Sequence, residues 1–166
     1  SMKSDLPQYC VQGAWPQVRL IGDDLAVIAV NSSKPNLPWR SDGSIPEQQL
    51  SALDRLLDDE QLTGRFIMLM THYAARMPNG EPDTRLHGLA NADDYLSVCS
   101  KIKQGALLCG HIHHRYQVAI KGLAANLFCA GSATLEGRES FWLYELNEGQ
   151  FHAYPGYWDG QAYQIR

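Results

Sequence analysis

Phe66-Ile67-Met68-Leu69-Met70 is a run with no polar side chain, and no other segment restricts the fold as much. Successive residues of a strand point to opposite faces, so a strand apolar on both faces must be covered on both. That is the condition of an interior strand in a parallel sheet, expected here with helices on each side. Ala106-Leu107-Leu108-Cys109 is a second run of the same kind. Between the two, Asn91 stands where a helix cap would. Tyr95, Val98, Cys99 and Ile102 then recur at helical spacing, and Gly105 follows. The order strand, helix, strand predicts a right-handed parallel crossover.

Upstream, Val18–Ile21 and Leu25–Asn31 read as a hairpin turned at Gly22-Asp23-Asp24. Ser32 to Gly43 is a loop, with Pro35 and Pro38. Ser44-Ile45-Pro46-Glu47 has the form of a capping box, and Leu50, Leu53, Leu56 and Leu57 predict an amphipathic helix from Pro46 to about Glu60. A long loop runs from Thr71 to Ala90. After Gly110 the pattern changes to strands and turns, at Tyr116–Ile120, Leu127–Ala130, Phe141–Leu146 and Gln150–Tyr154. These are expected to form an antiparallel tail. The fold class is therefore α/β with a mixed sheet, expected as a single domain over residues 1–166.

Composition closes off several classes of function. Apolar residues at 45% against 19% charged exclude a disordered chain. A net charge of −4 without a basic stripe offers no nucleic-acid-binding surface. The apolar runs are too short to span a bilayer, so no membrane partner is expected. The four cysteines show no Cys-x-x-Cys spacing; free thiols in a reduced, cytoplasmic setting are the expectation. Ser1-Met2 reads as a remnant placed ahead of the native sequence.

The chemistry sits where the buried strands end. His72 lies two residues beyond Met70, and His111 and His113 lie just beyond Cys109. If the two strands are parallel neighbours, all three imidazoles emerge at the carboxyl edge of the sheet, where open α/β sheets bind ligands. Neutral imidazoles suit zinc or iron and, in part, manganese. One arrangement is a single zinc on His72, His111 and His113 with water in the fourth position.

Gly110-His111-Ile112-His113 after a buried strand, with His72 at an upstream strand end, resembles the second half of the calcineurin-like metallophosphoesterases. Val18–Ile21 and Val27–Ser32 resemble that family's central hairpin, Gly43 with Glu47–Leu50 and Leu53 its helix, Met70–Tyr73 its strand-end histidine segment, and Gly131–Thr134 a turn of its closing sheet. The resemblance implies a partial α-β-β-α sandwich and hydrolysis of phosphomonoesters or phosphodiesters. It also implies divalent transition metals (Mn, Fe or Zn), with His72 and His111 on one metal and His113 on the other. In such enzymes two metals about 3.5–4 Å apart clamp the phosphoryl group. The family's earlier Asp-x-His, Gly-Asp-x-x and Gly-Asn-His-Asp/Glu segments do not occur here, and Gly22-Asp23 is better explained by the hairpin turn. The expectation is thus a truncated C-terminal portion with an incomplete dinuclear site. The alternative is a catalytically inactive remnant serving as a binding or assembly module.

Other residues are weighed around that site. His87 is open between a substrate contact and loop packing. Arg76 and Arg85 have the guanidinium geometry to meet a phosphate. His114 reads as a support or solvent-facing residue, and His152 as structural. A missing half would leave part of a sheet uncovered, so a homodimer is expected.

Overall fold

The two apolar runs do lie side by side. The computed structural model describes residues 3–166, so the expectation about Ser1-Met2 lies outside it. β1 (Gln17–Ile21) and β2 (Leu25–Ala29) form the antiparallel hairpin, and β2 runs parallel to β3 (Phe66–Met70). β3 runs parallel to β4 (Gly105–Cys109), with Leu69 opposite Leu107. β5 (Tyr116–Val118) lies at the far edge, and β6 (Asn126–Cys129) fills the place between it and β4, giving the order β1-β2-β3-β4-β6-β5.

β6 corrects one expectation. It pairs parallel with β4 and antiparallel only with β5, whereas the sequence reading put it in an antiparallel tail. Leu127, Phe128 and Cys129 are all buried, and a strand so covered belongs in the sheet interior. β5, with its exposed Gln117, suits the edge.

The layering corrects a second. On one face of β3, Ile67 and Leu69 pack with Leu50, Leu53 and Leu56 of α1 (Glu47–Leu56) and with Tyr95 and Cys99 of α2 (Ala92–Cys99). On the other, Phe66 and Met68 meet no helix. They join Ala106 and Phe128 against Trp142, Tyr144, Leu146 and Phe151. These come from an antiparallel sheet of β7 (Ser140–Asn147), β8 (Gln150–Trp158) and β9 (Tyr163–Ile165). The result is three layers, helices, mixed sheet and second sheet, as a partial α-β-β-α sandwich has. Among the described residues nothing covers the outer face of the second sheet, which exposes Leu143, Trp158, Tyr163 and Ile165. No helix of the described residues is long and apolar enough to cross a membrane.

The helix starts differ too. Pro46 is the N-cap of α1, and no side chain caps it. Asn91 does not cap α2 with its side chain either. Its Oδ1 accepts the Ile45 N–H at 3.0 Å while its Nδ2 donates to the Ile45 carbonyl at 2.8 Å. One amide thus satisfies two buried backbone groups of another segment, and paired backbone groups are what burial demands.

Candidate metal centre

Parallel pairing of β3 and β4 carries past the strands: Thr71 N–H donates to Leu108 O at 3.0 Å, and Gly110 N–H to His72 O at 3.0 Å. This backbone register brings His72 and His111 together. His72 Nε2 lies 3.2 Å from His111 Nδ1, with the rings edge to face. Two imidazole nitrogens bound tetrahedrally at about 2.05 Å from one zinc stand about 3.3 Å apart. The pair therefore has the spacing of two ligands to one ion. Burial holds the pKa of both rings below the ordinary 6.5, and neighbouring histidines add to it, His113 for His72, and His87 and His72 for His111. The neutral form, with its lone pairs, is the one a metal binds. Among the described residues no group of three or more His, Cys, Asp or Glu side chains is placed to hold a metal. The donor set fits a borderline cation as half of a tetrahedral shell, without the carboxylates that offset a dinuclear charge.

The turn that presents His111 is strained. His111 and His113 adopt φ of 69° and 53°, a region that costs a non-glycine residue roughly 1–3 kcal/mol. Ile112 N–H donates to Gly110 O at 2.8 Å across His111, closing a γ-turn. Gly110 itself is under no such demand: a Cβ there would meet only His72 O, at 3.9 Å. The strain falls on the histidines, and strain of this kind clusters at functional sites.

The remaining candidates are placed as follows. His113 makes no hydrogen bond with either partner; it turns into a cleft beside His114 and Arg115. His87 lies over His111, ring centroids 4.3 Å apart, with its Nδ1 2.5 Å from Asp83 Oδ2. Asp83 was missed in the sequence, although an Asp and a His four apart within a functional loop are a legible signal. Arg76 is engaged: its guanidinium pairs with Asp93 and donates to Ala75 O, so reaching a phosphate requires that pair to open. Tyr73 is buried, with its ring 4.3 Å from that of His111, and a Cβ on Gly43 would meet the Tyr73 ring at 2.1 Å. The loop 32–43 thus lies directly against the centre.

That loop is tied by Asp42, whose carboxylate is shielded from solvent. It takes two bonds from Arg40, at 2.7 and 2.8 Å, and one from Lys34 at 2.5 Å. The shield consists of those two half-exposed side chains, so the group sits just beneath the surface. Arg40, then Lys34, hold its pKa well below the ordinary 3.8. A depressed carboxylate stabilises the fold above its unfolded pKa and loses that contribution as pH falls. Asp42→Asn should therefore lower Tm at pH 7, with the gap from wild type closing as pH drops below about 4; thermal unfolding followed by circular dichroism across that range checks it.

No protein-family profile matches the chain, and no curated protein matches it. Solved structures do. A dimetal phosphatase from Danio rerio is similar over 69% of this chain and 32% of its own, at 18% identity and a TM-score of 0.48. A Staphylococcus aureus protein described as a 5'-nucleotidase, in complex with alpha-ketoglutarate, is similar over 81% of this chain and 27% of its own, at 14% identity and a TM-score of 0.47. Zinc-complexed Vps29 from Entamoeba histolytica is similar over 84% of this chain and 96% of its own, at 13% identity and a TM-score of 0.36. The chain thus spans about a third of the first of these proteins and just over a quarter of the second.

Proposed function

We propose that this chain carries the second half of a metal-dependent phosphoesterase site, with His72 and His111 holding one divalent cation (Mn, Fe or Zn). The observation that carries the reading is the 3.2 Å approach of two neutral imidazole nitrogens at the carboxyl edge of parallel strands. A bound cation would polarise a phosphoryl oxygen and lower the pKa of a bound water. The chain's own residues supply the rest. The His111 turn fixes one ligand, and the ladder from Gly110 to His72 fixes the other. His87, steadied by Asp83, stands over His111 as a substrate contact, and Arg76 is a second once released from Asp93. His113 is the ligand of a second metal, whose carboxylates must come from residues outside this set. The outer face of the second sheet, with its four exposed apolar side chains, is the proposed homodimer surface.

A second reading has its own support. No three metal-binding side chains converge among the described residues, which favours an inactive module that binds or assembles. Elemental analysis after dialysis separates the two, with turnover of an aryl phosphodiester in manganese measured alongside in wild type and His72→Ala. About one tightly held ion per chain and turnover, both lost in the variant, are expected. A wild type that takes up neither manganese nor zinc would sink the phosphoesterase reading.

A further inference from the structure

A separate cleft opens beside His113. It has a volume of about 350 Å³, and its walls carry His113, His114, Arg115, Arg138, Glu139 and Trp158. Its charge is unusual for an acidic chain. None of Arg115, Arg138 and the neighbouring Arg166 makes an ion pair among the described residues, although the chain carries more acidic than basic side chains. Arg115 is also short of acceptors. Its Nη1 is buried with no hydrogen-bond partner, a state that buried donors seldom occupy.

Arg115 is held in place by its face, not by its donors. Its guanidinium lies 5.2 Å from the centre of the Trp142 ring, and Trp142 is fixed by its own Nε1 donating to Cys129 O at 2.9 Å. A fork of N–H donors positioned by stacking, with no carboxylate assigned to it, is the arrangement that receives oxyanions bidentately.

We propose that this cleft is an anion site that takes a phosphate group of a bound ligand, with Arg115 and Arg138 as the donors. The site works without metal, so it stands whether or not the histidine pair binds one. His113 lines it, so a phosphate held here lies beside the centre.

Calorimetric titration of the metal-stripped protein with pyrophosphate at low ionic strength tests it. Wild type should bind saturably, with affinity falling as salt is raised. Arg138→Ala, at an exposed position, should weaken binding at least tenfold, and His72→Ala should leave it unchanged. Arg115→Met is the stronger variant but touches Trp142, so its fold is checked by circular dichroism and Arg138→Ala carries the decision. No saturable binding by wild type, or unchanged binding in Arg138→Ala, would overturn the proposal. Equal loss in His72→Ala would overturn it as well, by placing the anion at the metal centre.

Discussion

Neither His111→Gly nor His111→Ala should take up manganese or zinc, yet the glycine variant should be the more stable of the two by about 1 kcal/mol. Both substitutions remove one of the two converging nitrogens, and a lone imidazole holds no divalent ion against dialysis. Both also remove the same ring packing, against Tyr73 and His87. They differ in what the backbone then costs. At a φ of 69° alanine keeps the steric penalty of a left-handed turn, whereas glycine adopts it freely. Urea unfolding of the two metal-free variants reads the difference. Equal midpoints would mean that the γ-turn relaxes once the imidazole is gone, and that the ring, not the chain, imposes the strain.

Phe128→Ala should cost about 3–5 kcal/mol, the range for removing a large buried ring. Whole domains hold only about 5–15 kcal/mol, so this single change takes much of the margin. Phe128 is 4% exposed and meets Trp142 at 5.4 Å and both Tyr144 and Phe151 at 5.7 Å, all edge to face. It is the point where β6 holds the second sheet against the first. Chemical denaturation gives the energy, and loss of the near-ultraviolet aromatic dichroism shows the two sheets parting. Leu143→Ala, on the outer face of the same sheet, should stay within about 0.5 kcal/mol in the monomer. A large effect there would show that the face is covered in solution.

The parts of this fold that sequence reveals are those set by local pattern. The β1–β2 hairpin, the run that became β3 and the buried face of α2 each carry their own periodicity. The histidines at the ends of β3 and β4 were legible for the same reason, since a strand end is visible from its strand. What escaped depends on partners distant in the chain. Nothing in Asn126–Cys129 says that it inserts between β4 and β5. Nor does Phe66 reveal whether a helix or a Phe151 ring, 4.6 Å away, will cover it. The capping box failed because the Ser44 N–H is taken by Ser32 O and its hydroxyl by Asn91. The family resemblance grouped His111 with His72 and set His113 apart, and the 3.2 Å approach of His72 and His111 has that grouping; the ring of His87 over that of His111 depends on a loop fold that spacing does not carry.

The tie between Asn91 and Ile45 has a consequence for how the long loop over the centre can vary. Just before it, Gly43 N–H donates to Gly88 O and Ala90 N–H to Gly43 O. At the loop's other end, Tyr116 Oη donates to Arg76 O. The segment is therefore moored at both ends, and between them Thr84–Gly88 closes on itself through Thr84 O. Among the described residues the tip bonds only to itself, Met77 N–H donating to Glu81 O across the exposed Asn79. A tag, a dye or a lengthened turn placed there would ride above the molecule and leave the spacing of the histidines as it is.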